Sequence, residues 1–237
     1  MAENAETEET GQTTRTIVRD GIAVGVATGT YGISFGAVSV SSGLDVWQTC
    51  ALSLLVFTGA SQFALVGVVG AGGNPFLGMA SGLLLGTRNA LYGLKVSPLV
   101  GWRGLRRTAA AHLVIDESSA MTVVRDRHDH ARAGFLSTGL AVFVFWNLAT
   151  LGGALAGDAL GDPRTYGLDA AVGAAFLALL WPRLGPVRHR VAAVLGAGLA
   201  LALVPLSPAG VPVLGAAVVA LGLALLGRDL PDEGPGQ

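Results

Sequence analysis

Apolar residues run along this chain in seven blocks, at 21–40, 47–70, 76–98, 134–157, 168–184, 191–206 and 211–227, with the polar residues gathered between them. A helix rises about 1.5 Å per residue and must cross roughly 30 Å of hydrocarbon, so the early blocks are long enough to span a bilayer and the last three only when nearly vertical. Pro75, Pro98, Pro163, Pro182, Pro186, Pro205, Pro208 and Pro212 fall at or near block ends, where a missing amide proton costs least. The pattern predicts an all-α polytopic membrane protein of about seven transmembrane helices.

The polar stretches set the organisation. Residues 1–20 carry Glu3, Glu6, Glu8 and Glu9 and no apolar run, which predicts a disordered acidic tail and no signal peptide. Residues 99–133 are too polar to span and hold Arg103, Arg106, Arg107, Arg125, Arg127 and Arg132. Basic loops stay in the cytoplasm, so this loop is expected there, with the N-terminus outside and the C-terminus inside. If residues 108–124 also crossed, the N-terminus would move inside and Arg103, Arg106 and Arg107 would lie outside. The blocks divide as 21–98 and 134–206, with a last helix and tail at 207–237. Gly-Leu-Asp stands at Gly43 and again at Gly167, each before a Leu-rich run ending in an aromatic, Phe57 and Trp181. Two copies of three crossings must be inverted relative to each other, so the expectation is an inverted 3+3 repeat plus one helix, a habit of secondary transporters.

Composition agrees with a chain in lipid. Hydrophobic residues make up 51% and charged residues only 13%, against about a quarter in soluble domains. Net charge of −1 offers nothing to nucleic acid. Cys50 is the single cysteine, so no disulfide can form within the chain. His128 and His130 lie in a charged stretch without further ligands nearby and read as solvated rather than metal-binding. Neither a phosphate-binding GxxxxGK[ST] loop nor a GxSxG elbow occurs and no nucleophile–base pair is visible, so neither an ATP-driven step nor an enzyme activity is expected.

Several polar residues inside the apolar blocks are candidates for chemistry. Gly21, Gly25, Gly29, Gly32 and Gly36 fall within about 80° of one another on a helix, a smooth stripe for close packing that could also line a path together with Tyr31. Thr58, Gly59, Ala60, Ser61 and Gln62 interrupt the second block, where a helix can unwind and aim amides at an anionic or zwitterionic substrate; the plain alternative is a continuous helix with Gln62 bonded to a neighbour. Arg88 lies near the centre of the third block, where an arginine costs on the order of 3 kcal/mol without a partner or wet cavity, and Asn89 stands beside it. A helix over Thr108–Val124 would put Thr108, His112, Asp116 and Ser119 on one face with Glu117 adjacent, an acidic stripe able to move a proton or to pair with Arg88. Asn147 is a further polar group inside the fourth block.

These residues also form ordered motifs. Gly29, Tyr31-Gly32 and Phe35-Gly36, then LLVFTGASQFALVGV from Leu54, RNALYG from Arg88, DES from Asp116 and GLDAAVGAAFLALL from Gly167 together resemble the AzlC family over roughly residues 15–228. The resemblance implies the large subunit of a branched-chain amino-acid exporter in the bacterial inner (plasma) membrane, working with a small membrane subunit, AzlD. It further implies export driven by the proton motive force, without ATP or bound cofactor. One departure is that the family's histidine after the third-block arginine is replaced here by Asn89. Proton coupling then falls to Asp116, Glu117 or His112, and substrate binding to Arg88, Asn89, Thr58, Gly59, Ser61, Gln62, Tyr31 and Asn147. A gated channel for small zwitterions and a non-transporting scaffold subunit are the alternatives. The first predicts flux independent of a proton gradient, and the second predicts that Arg88 is dispensable.

Overall fold

The computed structural model describes residues 13–160, 177, 180–181 and 184–226, and among these every regular element is a helix. In order they are α1 (Thr14–Gly29), α2 (Tyr31–Ser41), α3 (Val46–Leu55), α4 (Gly59–Gly70), α5 (Pro75–Val100), α6 (Leu105–Ala111), α7 (Asp116–Val123), α8 (His128–Leu160), α9 (Val187–Leu203) and α10 (Val211–Leu226). Thr14–Ser41 and His128–Ala159 are each long and apolar enough to cross a membrane. Large apolar side chains face outward, Trp47 83% exposed and Leu83 75%, as expected where the surroundings are lipid.

The glycine stripe is a packing surface. A methyl group on Gly21, Gly25, Gly29, Gly32 or Gly36 would collide with Ser137, Ala141, Phe145, Trp146 or Thr150 of α8 respectively, and one on Gly153 with Ile33. Backbone approaches backbone along the whole seam because no side chain stands between them. The partners rise together in number, so α1–α2 and α8 run side by side in the same direction. That direction corrects the expected 3+3 repeat: the first and fourth apolar blocks are parallel, and inverted copies would be antiparallel. The second Gly-Leu-Asp and the block at 168–184 lie largely outside the described residues. The first Gly-Leu-Asp has a local cause, since Gly43 takes φ +96 and Asp45 caps α3 through a reciprocal pair of bonds with Gln48 (2.7 and 3.0 Å).

The second block does not run straight through. Ser39 bonds Thr49 at 2.8 Å, Ser53 bonds Thr150 at 3.3 Å, and the Phe57 ring meets Phe143 at 5.0 Å, so α3 descends against α2 and α8. Phe63 then meets Phe35 at 5.5 Å, and a methyl on Gly70 would stand 2.6 Å from Ser42, so α4 climbs back to the end it came from. α3 and α4 form a hairpin reaching halfway into the bundle. α5 packs antiparallel on α4, Gly78 against Leu65 and Gly82 against Ser61, and runs through to the opposite end.

A second half-depth hairpin enters from that end. Trp102 meets Phe135 at 6.0 Å and His112 meets Phe143 at 5.7 Å, so α6 rises beside α8; Met121 then lies against Gly134, so α7 returns. The continuous helix expected over Thr108–Val124, with Thr108, His112, Asp116 and Ser119 on one face, is therefore broken between Ala111 and Asp116. Ser118 holds the break open, accepting from the Ile115 amide at 3.1 Å and donating to the Leu113 carbonyl at 2.6 Å.

Two boundaries shift as well. The tail is helical from Thr14, started by Thr13 and anchored by the buried Ile17, and the fourth block begins at His128, whose Nδ1 lies 2.6 Å from the Leu99 carbonyl. Because both hairpins return to their own ends, the start of α1 lies at the same end as the basic turns. Burial lowers the Arg125 guanidinium pKa there, while the nearby Asp20 carboxylate raises it. α9 and α10 form an antiparallel pair joined at the other end, where Gly73 packs on Ala209.

Candidate functional site

The two hairpin tips meet at mid-depth, and what each break does to the backbone decides the site. At the first, Val56 (φ −110, ψ 68) and Thr58 (φ −154, ψ 105) leave helical geometry. The Ser53 and Leu54 carbonyls at the end of α3 lose their helical partners and find side chains instead, while the Leu52 carbonyl keeps the Val56 amide at 2.9 Å. Gln62 Nε2 lies 3.5 Å from the Leu52 oxygen and 3.4 Å from the Ser53 oxygen, and His112 Nε2 lies 3.0 Å from the Leu54 oxygen. The opposite lip, the start of α4, has no side-chain cap from Thr58, so the amides of its first turn are left to whatever enters beside them.

Beside that turn is a cavity of about 300 Å³, at the small end of the range for ligand pockets. Thr58, Gly59 and Ala60 line it, and so do Arg88 of α5 and Asp116 and Glu117 of α7. Arg88 Nη2 and Asp116 Oδ2 are 3.3 Å apart, and their side chains are 30% and 24% exposed. The two charges reach one spot because α5 passes straight through at Arg88 while α7 begins at Asp116. Around them stand Phe57, Phe63, Ile115, Val142 and Trp146, which belong to the main apolar core.

The structure sorts the sequence-derived candidates. Arg88, Asp116, Glu117, Thr58, Gly59 and Tyr31 line the cavity. His112 lies at the junction of the tips, against Phe57 and Phe143. Four others stand outside the lining. Ser61 and Gln62 are turned into the packed interior of α4, with Gln62 spent on the α3 carbonyls. Asn147 Nδ2 bonds the Phe143 carbonyl of its own helix at 2.7 Å, and Asn89 keeps a buried Oδ1 without a hydrogen-bond partner among the described residues. Sequence reasoning missed Trp146, which is 6% exposed, lines the cavity and has an indole N–H without a partner among the described residues. Its one sequence signal is a polar-tipped aromatic within an apolar block. His128 and His130 join no metal-binding group, as no such cluster of His, Cys, Asp or Glu occurs among the described residues.

Half-depth helix breaks leave backbone amides and carbonyls without helical partners, and in lipid these are tolerated only against protein or a wet cavity. Together with the outward apolar faces, they define an all-helical membrane protein with a charged cavity inside its bundle. The AzlC protein family matches residues 23–160, and the chain belongs to that family. The match covers both broken hairpins and nearly all of the cavity. No curated protein and no solved structure matches the chain.

Proposed function

We propose that this chain is the large subunit of a multi-pass secondary transporter in the bacterial plasma membrane, exporting leucine, isoleucine and valine, with methionine at the edge of its range. It works with a small AzlD-like membrane subunit, draws on the proton motive force, and does no chemistry on its substrate. Family membership supports the substrate class and the partner. The mechanism rests on one observation: an Arg88–Asp116 ion pair and the uncapped start of α4 line the same cavity.

A zwitterion complements that arrangement charge for charge. Its carboxylate fits the two-pronged guanidinium of Arg88 and the amides of Gly59 and Ala60, and its ammonium fits Asp116 and Glu117. A branched apolar side chain lies on Phe57, Ile115 and Trp146. Entry of the substrate splits the ion pair and satisfies both halves at once, so no bare charge is left at depth. On release, Asp116 or Glu117 can take up a proton, with His112 at the tip junction as a further proton carrier.

The arginines orient the molecule. Arg15, Arg19, Arg103, Arg106, Arg107, Arg125, Arg127 and Arg132 gather at one end, which is assigned to the cytoplasm. The N-terminus is then cytoplasmic, opposite to the expectation from counting the second block as a crossing. In a Cys50→Ser background, an impermeant thiol reagent applied to intact cells should label Ala71→Cys and leave Thr14→Cys untouched. Labelling of Thr14→Cys would reverse the orientation.

Arg88 variants test the site. Arg88→Lys keeps the charge and loses the fork, so it should fold at normal yield and export at least tenfold more slowly; Arg88→Gln should abolish export. A structural ion pair predicts the reverse, with Lys silent and Gln low in yield, and a scaffold subunit predicts that both variants are silent. Full export by Arg88→Gln at normal yield would falsify the substrate role.

A further inference from the structure

Two stretches of this chain repeat each other in a way that only the fold makes visible. Gly29-Thr30-Tyr31-Gly32-Ile33-Ser34-Phe35-Gly36 stands 57 positions before Gly86-Thr87-Arg88-Asn89-Ala90-Leu91-Tyr92-Gly93, sharing Gly-Thr at the start and an aromatic-Gly at the end. The same offset pairs Gly21 with Gly78 and Gly25 with Gly82. Leu55-Val56-Phe57-Thr58-Gly59-Ala60-Ser61 stands 58 positions before Leu113-Val114-Ile115-Asp116-Glu117-Ser118-Ser119, each run lying across the break of its own hairpin. Each copy is thus a through-going helix followed by a half-depth hairpin. The helices run in opposite directions and the hairpins enter from opposite ends, so the copies are inverted.

Equivalent positions of two inverted copies can touch only near the axis that relates them. Leu54 and His112 are equivalent at the second offset, and His112 Nε2 lies 3.0 Å from the Leu54 oxygen. The cavity lies there too. Tyr31 and Arg88 both line it, as do Thr58 and Asp116, and Gly59 and Glu117; so do Phe57 with Ile115 and Thr28 with Leu85. Ten of its sixteen lining residues therefore fall into five equivalent pairs. Sequence register and cavity geometry are independent observations, and they select the same residues.

We propose that residues 14–70 and 75–123 are an inverted duplication whose axis passes through the cavity. The substrate site is shared between the copies, with Tyr31 and Thr58 as the uncharged counterparts of Arg88 and Asp116, and the two hairpin tips are its opposite gates. A packing open to one copy is close in energy for the other, so exchanging the two arrangements turns the cavity from one end of the bundle to the other. This inference rests on the transporter reading and adds the moving parts to it.

Thr28 lies one turn nearer the cytoplasmic end than Tyr31, and Leu85 one turn nearer the outer end than Arg88. In a Cys50→Ser background, Thr28→Cys should react with an impermeant thiol reagent from the cytoplasmic face and Leu85→Cys from the outer face of oriented vesicles. An imposed leucine gradient should change the two rates several-fold in opposite directions. Rates that move together, or a cysteine that never responds, overturn the two gates while leaving a transporter in place. Free reaction of both cysteines from both faces at once signals an open pore and overturns the transporter reading itself. A second measurement uses neither position. A disulfide between Leu113→Cys and Gly139→Cys, where a Cβ on Gly139 would stand 3.1 Å from that of Leu113, ties the second tip to α8 and should stop export, reversibly on reduction, while the purified protein still binds leucine. Export that survives the tie overturns the proposal.

Discussion

The two half-depth hairpins share a plan and differ in charge. In both, the second helix begins at mid-depth against the cavity. α4 begins with Thr58-Gly59-Ala60 and brings no charge, so the positive end of its dipole is left to the cavity. α7 begins with Asp116-Glu117, carboxylates that offset its own dipole and present negative charge to the same space. One tip suits an anion and the other a cation. A break in a helix is thus not a site in itself; the residues at the first two positions after it decide what the site can hold.

Erasing the difference from the acidic side should have the largest effect. The double change Asp116→Asn with Glu117→Gln removes the cationic subsite and the cavity's proton acceptors. Export should fall at least a hundredfold, and any residue should no longer vary with external pH; an unchanged pH profile in transport assays would assign the proton to another group. Making the first tip resemble the second is the subtler change. Thr58→Asp supplies a cap worth about 0.5–1 kcal/mol to α4 yet sets a carboxylate against the substrate's own, so thermal stability should hold or rise while export drops several-fold. Equal loss of both in detergent melting and transport would mean that the tip is structural. The smallest effect belongs to the closure of the first break. Gln62→Leu unties the Ser53 carbonyl and should lower stability by about 1–3 kcal/mol, since that carbonyl loses its partner in a buried setting while Leu52 keeps the Val56 amide. Substrate preference across a panel of amino acids should stay the same, because Gln62 stands outside the cavity lining.

Much of this was readable along the chain. Apolar blocks and sparse charge announced helices in lipid, the glycine spacing announced a close seam, and Arg88 announced a partner. Thr58-Gly59 marked the first break. The second break, at 112–115, was hidden because Leu113, Val114 and Ile115 continue a helical pattern. What interrupts it is Ser118 reaching back to the Leu113 and Ile115 backbone, a contact with no periodicity. Ser61, Gln62 and Asn147 drew notice as polar residues in apolar blocks, yet a side chain that satisfies a nearby carbonyl looks the same in sequence as one that faces a ligand.

By itself the sequence determined which segments are helices and which residues must be sheltered, because hydropathy, glycine spacing and the cost of a buried arginine act locally. Only the tertiary structure decided how many of those segments pass right through. A helix of ten residues that turns back and one that continues have the same composition, and the difference lies in whether neighbours exist to take the freed carbonyls. Gln62 and His112 do so from 9 and 58 positions away in the chain. That choice reversed the direction of the fourth block, moved the start of α1 to the basic end, and brought Thr58 and Asp116 into the lining of one cavity.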